Sequence, residues 1–244
     1  MGKTKKTKLY NHHISLGGNM VSFFGYALPI YYSSIIKEHE AVRSNAGLFD
    51  VSHMGEFIIS GKDAKSFIQK ITINDIDKIT VGQIQYSAMC NENGGIIDDL
   101  LIYKRKDDFM MVVNASNRKK DLSWLKKNCD EDLSIKDISD DISMVAIQGP
   151  KSRIILQHIT NSNLMEIGYY NFIEGKLNKK KALISRTGYT GELGYEVYAK
   201  NIDIIDIWDS IIEVGNKYGI MPAGLGCRDT LRLEMKYLLH GNDI

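Results

Sequence analysis

Residues 55–127 contain the pattern that most limits the folds open to this chain. Four short segments there are rich in β-branched and other apolar residues, as strands are, and two have the apolar spacing of helices. In chain order they are GEFIIS at 55–60, KDAKSFIQKI at 62–71, QIQYSAM at 83–89, IIDDLLIYK at 96–104, FMMVVN at 109–114 and SNRKKDLSWLKKN at 116–128. The predicted order is therefore β-α-β-β-β-α.

Two short polar turns connect the last three of these strands. NENGG at 91–95 and RKDD at 105–108 are typical of hairpin turns, so the strands on either side are expected to pair antiparallel. Asn114 precedes the second helix and is a suitable N-cap residue for it. Together these features predict an α+β fold with antiparallel sheets and flanking helices.

The C-terminal part of the chain contains two further segments with the apolar spacing of helices. IDIIDIWDSIIEVG at 202–215 places its isoleucines and tryptophan on one face, which predicts an amphipathic helix packed on the core. CRDTLRLEMKYLLHG at 227–241 predicts a further helix with Gly241 as its C-cap. Arg228 and Arg232 share one face of that helix. Such arginines are usually ion-paired at the surface, and ligand binding is the alternative.

Composition excludes several classes of function. The chain has 244 residues, of which 43% are hydrophobic and 25% charged, and its net charge of +1 provides no strong field for nucleic acid. Three widely spaced cysteines and six histidines form no CxxC or HExxH pattern, so neither a disulfide framework nor a metal site is expected. Without an apolar membrane span or secretory signal, we expect a soluble cytoplasmic protein.

The segment RTGYTGELGYEV at 186–197 has a glycine at every third position, at Gly188, Gly191 and Gly194. It is not the dinucleotide-binding fingerprint, because an apolar run precedes it and an alternating strand, rather than a helix, follows. The pattern predicts a β-hairpin with a glycine-rich loop. Its glycines could serve a hairpin with aromatic side chains packed on its flank, or the close approach of a ligand.

Asp98 and Asp99 are adjacent in a strand whose other residues are almost all apolar. Neighbouring strand residues point to opposite faces, so one carboxylate is expected to face water and the other to face the interior or a cleft. A buried carboxylate is costly unless it has a partner. The buried one could anchor a polar ligand, or it could be a structural group bound to backbone amides.

A series of longer blocks resembles the aminomethyltransferase family, the T-proteins of the glycine cleavage system, from about residue 8 to the end of the chain. The most specific blocks are DVSHM, GGIIDDL, GYTGE and RDTLRLE. The resemblance implies transfer of an aminomethyl group from the lipoyl arm of H-protein to tetrahydrofolate, with release of ammonia and formation of 5,10-methylenetetrahydrofolate. No metal is implied. H-protein and tetrahydrofolate would be the partners, with no role for nucleic acid or a membrane.

The same resemblance assigns roles to seven side chains. Asp99 matches the catalytic aspartate, which would hydrogen-bond N10 of folate and orient it for attack. Glu196 matches the glutamate that accepts hydrogen bonds from the pterin edge, since a carboxylate only accepts, and Arg228 matches a ligand arginine. The remaining positions would line the folate pocket: Met54, Tyr86, Asn114 and Tyr189.

The resemblance also implies two interleaved subdomains of the aminomethyltransferase folate-binding fold, one formed by residues 1–54 with 138–244 and one inserted at 55–137. Family members continue into a C-terminal β-barrel domain, whereas this sequence stops at Ile244. We therefore expect folate binding more firmly than turnover. The alternatives are a related folate-dependent demethylase, a non-catalytic folate-binding module or an inactive fragment, and a eukaryotic source would place the protein in the mitochondrial matrix.

Overall fold

The computed structural model describes residues 4–129 and 132–244. Its contacts divide the chain into two compact units. The first unit contains the chain up to His53, Asp141–Tyr169 and Ile173–Leu238. The second unit contains Met54–Asp140, Tyr170–Phe172 and Leu239–Ile244.

The elements follow one another in a mixed order of strands and helices. The chain begins with β1 (Lys5–Lys6), α1 (Tyr10–Ser15), β2 (Asn19–Phe23), β3 (Tyr26–Tyr31), α2 (Ile35–Ser44) and β4 (Ala46–Asp50). It continues with β5 (Gly55–Ser60), α3 (Ala64–Ile71), β6 (Ile84–Cys90), β7 (Ile96–Lys104), β8 (Phe109–Val113), α4 (Arg118–Lys127) and β9 (Ser134–Asp137). The remaining elements are β10 (Ile142–Gln148), α5 (Ser152–Gln157), β11 (Phe172–Leu177), β12 (Lys180–Ser185), β13 (Gly194–Lys200), α6 (Ile204–Gly215), β14 (Ile220–Pro222) and α7 (Leu225–Glu234).

A six-stranded sheet forms the centre of the first unit, in the order β11-β12-β13-β10-β4-β14. Strand β13 pairs antiparallel with β12 on one side and with β10 on the other, while β14 joins β4 in parallel. Helix α6 packs its apolar face on the core of this unit, with Ile204, Trp208 and Ile211 fully or almost fully buried. The predicted amphipathic helix is confirmed. A small sheet, β1-β3-β2, completes the unit.

The second unit is built on a five-stranded sheet in the order β6-β7-β8-β5-β9. All of its pairs are antiparallel, and its core includes Phe57 and Ile102 from strands and Ile68 and Leu125 from helices. The four strands and two helices predicted over residues 55–127 are confirmed, and so is the α+β class. Strand β9 was not predicted from the sequence.

Two predicted helix ends are wrong. The N-cap of α4 is Asn117, not Asn114, because the side chain of Asn114 donates hydrogen bonds to the two aspartates of β7. Helix α7 ends at Glu234, seven positions before Gly241. Lys236 then takes a positive φ of 59°, a left-handed conformation that turns the backbone away from the helical path.

Candidate functional site

In the second unit, the carboxylate of Asp99 is held between two side chains. The hydroxyl of Tyr86 donates to Oδ2 of Asp99 at 2.9 Å, and Nδ2 of Asn114 donates to Oδ1 at 2.6 Å. Burial raises the pKa of Asp99 above its ordinary value; the bonds from Tyr86 and Asn114 oppose this shift, and the negative charge of Asp98 adds to it. The side chain stays partly exposed, so Asp99 is an oriented carboxyl group that a ligand can reach.

Asp98 lies on the opposite face of strand β7 and is completely buried. Its oxygens accept hydrogen bonds from the backbone N–H of Asn114 at 3.0 Å and from the side-chain amides of Asn114 at 2.9 Å and Asn117 at 2.7 Å. The predicted difference in burial between the two aspartates is therefore observed. Asp98 has the structural role, bound to a backbone amide, that the sequence left open.

The segment 186–193 in the first unit is the loop of a β-hairpin formed by β12 and β13, as predicted. A Cβ atom at Gly188 or Gly194 would collide with the side chain of Gln148, and Gly191 has a positive φ of 79°. Gln148 itself donates to the carbonyl of Thr187 and accepts from Thr190. A Cβ atom at Gly191 would also collide with the side chain of Met235, so packing and backbone conformation within the chain account for all three glycines, as the structural alternative proposed.

Glu196 lies in the middle of β13 and is 5% exposed. The hydroxyl of Thr187 donates to its Oε2 at 2.5 Å, and the hydroxyl of Ser185 lies 2.8 Å from that of Thr187. Burial raises the pKa of Glu196, while the bond from Thr187 and the positive charge of Arg228 lower it. Both faces of β13 are buried. The alternation of polar and apolar residues in its sequence therefore does not separate a solvent-exposed face from a buried one.

Arg228 in α7 lies beside an aromatic pair. Its guanidinium carbon is 4.7 Å from the ring centroid of Tyr189, and that ring stacks on Tyr237 at 5.9 Å. Burial lowers the pKa of Arg228, and the charge of Glu196 opposes the shift. In both pKa shifts the effect of burial therefore outweighs the attraction between the charges of Glu196 and Arg228. Arg232, by contrast, is ion-paired with Asp229 as predicted, but it is buried and does not lie at the surface.

Two residues of the first unit belong to this neighbourhood and were not predicted. His53 is buried, and no hydrogen-bond partner among the described residues reaches its Nδ1. Burial, reinforced by the charge of Arg228 and opposed by that of Asp50, lowers the pKa of His53 to about 4, so the ring is neutral above that pH. The DVSHM block contains His53 but gives no local signal of its burial, because a polar residue, Ser52, precedes it and Met54 follows it.

Arg43 is the second residue that the sequence did not identify. Its guanidinium donates to the carbonyl of Thr190 at 2.6 Å and to Glu192 at 3.0 Å, both in the glycine loop, and to Glu234 of α7 at 2.7 Å. One side chain of α2 therefore ties the loop to the helix that carries Arg228. No local pattern around residue 43 indicates this, because its partners lie about 150 and 190 positions away.

A cavity of about 240 Å³ lies beside the glycine loop in the first unit. Its walls carry Tyr169, Arg186, Thr187, Glu192 and Tyr237 together with loop glycines. Thr187, which donates to the Glu196 carboxylate, is therefore also one of the residues that line this cavity. Met54, the remaining predicted site residue, is partly exposed in the bend before β5 in the second unit.

The family model that describes the GCVT N-terminal domain matches residues 9–244. The chain belongs to the aminomethyltransferase family. An aminomethyltransferase from Halothermothrix orenii is 47% identical over 98% of this chain and 68% of its own length, and one from Bacillus subtilis is 48% identical over 98% and 67%. The resemblance predicted from the sequence is confirmed.

A solved aminomethyltransferase has the same fold. The crystal structure of glycine cleavage system aminomethyltransferase T from Bartonella henselae superposes with a TM-score of 0.91 at 31% identity, covering 99% of this chain and 65% of that one. The chain thus spans about two thirds of the length of the aminomethyltransferases it matches. Within the described residues, no helix is long and apolar enough to cross a membrane, and no three His, Cys, Asp or Glu side chains are grouped to hold a metal ion.

Proposed function

We propose that the chain carries the folate-binding and catalytic residues of a glycine cleavage aminomethyltransferase. The overall reaction moves the aminomethyl group from lipoylated H-protein to tetrahydrofolate and releases ammonia. Membership of the aminomethyltransferase family supports the reaction class. The observation that carries the proposal is the reachable Asp99 carboxyl, fixed by Tyr86 and Asn114.

Asp99 is proposed to orient an amine of the folate. A bound tetrahydrofolate supplies the nitrogens that receive the one-carbon unit. Tyr86 and Asn114 fix both oxygens of Asp99 before any ligand arrives, so an N–H such as that of N10 would meet an acceptor that is already oriented. The raised pKa brings Asp99 closer to neutrality, which suits a group that holds and returns a proton.

Glu196 is proposed to bind the pterin edge and Arg228 to fix its position. The buried carboxylate has one donor, Thr187, and a nearby cation. It retains acceptor capacity for the adjacent N–H groups that a pterin presents. The orphaned Nδ1 of His53 adds a polar atom in the same neighbourhood. Tyr189 offers an aromatic face, and its ring is already held by Tyr237 and Arg228.

The test compares one-carbon donors. The chain is incubated with tetrahydrofolate and with aminomethylated H-protein, sarcosine, dimethylglycine or dimethylsulfoniopropionate. The folate products are then identified: 5,10-methylenetetrahydrofolate with ammonia is expected from H-protein, and 5-methyltetrahydrofolate from a methyl donor. Product formed from aminomethylated H-protein and from none of the other donors supports the proposal, whereas transfer from sarcosine or dimethylglycine would favour a related demethylase. Calorimetry with tetrahydrofolate is run in parallel, and a chain that binds no folate would contradict the proposal outright. The cytoplasmic location stays a prediction.

A further inference from the structure

Asp121 is a buried carboxyl group that the proposed function does not use. It lies in α4, is fully buried, and among the described residues no donor reaches either of its carboxyl oxygens. Such a group is costly in its ionised form, because it has lost its water and gained no hydrogen bond. Asn117 stands one helical turn before Asp121, whose backbone N–H donates to the carbonyl of Asn117, and the side chain of Asn117 donates to Asp98, so the carboxyl group of Asp98 lies on the same side of α4 as Asp121.

A hydrogen bond between two carboxyl groups requires a proton on one of them. A carboxylate can accept about four hydrogen bonds, and Asp98 already accepts three, from Asn114 twice and from Asn117 once. Asp98 is thus placed to remain the ionised partner, with room for one more donor. Asp121 has no donor to stabilise a negative charge and is the natural holder of the proton.

We infer that Asp98 and Asp121 share one proton, carried by Asp121, and that this acid pair is a positioning device for Asn114 and, through Asn114, for the carboxylate of Asp99. The role in positioning Asp99 for transfer rests on the proposed function. The shared proton does not, since it follows from the contacts inside the second unit.

The neighbouring charged groups agree with this assignment. Burial, followed by the bond to Asp98 and its negative charge, raises the pKa of Asp121 from 3.8 to about 9, and Lys120 opposes the shift. The Lys120 ammonium donates to the carbonyl of Ile97. His240 approaches Asp98 at 3.7 Å, but its Nδ1 lies 2.9 Å from the amide nitrogen of Asn117 and accepts from it. His240 therefore does not replace Asp121 as the donor.

The pair reaches Asp99 through one amide group. Nδ2 of Asn114 lies 2.9 Å from Oδ1 of Asp98 and 2.6 Å from Oδ1 of Asp99, so its two hydrogens bridge the buried and the exposed aspartate. An ionised Asp121 would repel Asp98 and disturb the anchor of Asn114. With the proton held inside the pair, Asp98 stays ionised and keeps both bonds to Asn114, so the orientation of Asp99 is fixed.

Infrared spectroscopy tests the proton directly. The Asp121→Asn variant keeps a side-chain donor to Asp98 but has no carboxyl group. Asp107→Asn, which changes an exposed carboxylate in the turn between β7 and β8, is the matched control. At pH 7 the difference spectrum between the unchanged chain and Asp121→Asn should contain a protonated-carboxyl band, which Asp107→Asn lacks. An Asp121→Asn difference spectrum with only a carboxylate band would overturn the inference.

The pH dependence of stability gives a second measurement. A group with a raised pKa in the folded state binds a proton on folding, so its contribution to stability falls as pH rises from about 4 to about 9. Between pH values of about 4 and about 9, the denaturation midpoint of the chain without substitutions should fall relative to the midpoint of the Asp121→Asn variant. Parallel curves would contradict a proton on Asp121.

Transfer kinetics test the positioning. Asp121→Asn should transfer at a rate close to that of the unchanged chain, whereas Asp121→Leu, which offers Asp98 no donor, should lose on the order of 100-fold in kcat, as expected for a displaced catalytic group. Equal loss in both variants would overturn the positioning role. If Asp121→Leu does not fold, the infrared and pH measurements on Asp121→Asn decide the shared proton, and Asp121→Ala, which also offers Asp98 no donor, replaces Asp121→Leu in the rate comparison. A protonated-carboxyl band in a chain that binds no tetrahydrofolate would support the shared proton while contradicting the proposed function.

Discussion

Asp99 in the five-stranded sheet and Glu196 in the six-stranded sheet are both strand carboxyl groups with a pKa raised by burial, but their neighbours differ. Glu196 has a hydroxyl donor and a cation, Arg228. Asp99 has a phenol, an amide and a second carboxyl group, Asp98, and no cation contributes to its shift. One carboxylate is partly neutralised, whereas the other is surrounded by neutral donors and a like charge.

This difference separates two tasks for the same chemical group. A cation lowers the pKa of a neighbouring carboxylate and keeps it ionised as an acceptor, which suits binding. A second carboxylate raises the pKa, which suits a group that exchanges a proton. The comparison predicts that substitution of Asp99 affects mainly rate and that substitution of Glu196 affects mainly affinity.

The largest effect is expected from Asp99→Asn. The variant keeps the shape of the side chain but replaces one of the two acceptor oxygens by a donor and removes the exchangeable proton, so transfer should fall by about 100-fold or more while tetrahydrofolate affinity changes little. The rate of 5,10-methylenetetrahydrofolate formation and calorimetric affinity are measured together. Asp107→Asn, in the exposed turn that follows the same strand, is the control and should retain activity. A loss of affinity as large as the loss of rate would show that the two carboxylates do not divide the tasks.

Glu196→Gln should weaken tetrahydrofolate binding by about 1.5 to 3 kcal/mol, or roughly 10- to 100-fold in Kd, because a hydrogen bond to a charged group is lost. Glu213→Gln, on an exposed face of α6, is the matched control. Calorimetry on both variants separates the site from a general charge effect. Unchanged affinity in Glu196→Gln would remove Glu196 from the pterin contact.

Folate affinity should also depend on pH through Glu196. The ligand N–H groups require the ionised carboxylate, so binding should weaken as pH falls through the pKa of Glu196, which lies above the ordinary 4.5. The expected limit is about tenfold in Kd for each pH unit below that pKa. Glu196→Gln should flatten this curve in a titration of Kd against pH. If the slope persists in the variant, another group controls it.

The smallest effect is expected from Arg43→Gln. Loss of the bonds to Thr190, Glu192 and Glu234 should loosen the glycine loop and cost about 1 kcal/mol in folate affinity, with little change in kcat. Lys151→Gln, at an exposed position, is the control. A fall in kcat with unchanged affinity would contradict a role of Arg43 in loop placement.

The sequence predicted elements whose apolar pattern is long and regular. Strand β7 and helix α6 are of this kind. Strand β9 has only four residues, SIKD, and takes its place by pairing with β5, which lies more than seventy positions earlier. The end of α7 was misjudged because apolar residues continue past Glu234 at Met235 and Leu238, yet both are exposed. Periodicity does not show where a helix loses its packing partner.

The site was predictable only where a residue belongs to a recognisable block. Asp99, Glu196 and Arg228 came from such blocks, and their roles stay predictions. Arg43 and His53 were missed because their function depends on tertiary partners. Asp121 left one usable signal: it stands four positions before the buried Leu125 in α4, so it lies on the helix face that packs on the core.

The register of β13 determines how this region can change in length during evolution. Glu196 stands opposite Ser185 on one side and Ala146 on the other, so strands on both sides fix its position. Insertions in the loop at 186–193 leave that register intact. A single-residue deletion between Gly194 and Glu196 would shift the strand by one position and turn the carboxylate to the opposite face of the sheet. Relatives that keep Glu196 should therefore vary in length in the loop and remain free of insertions and deletions within the strand.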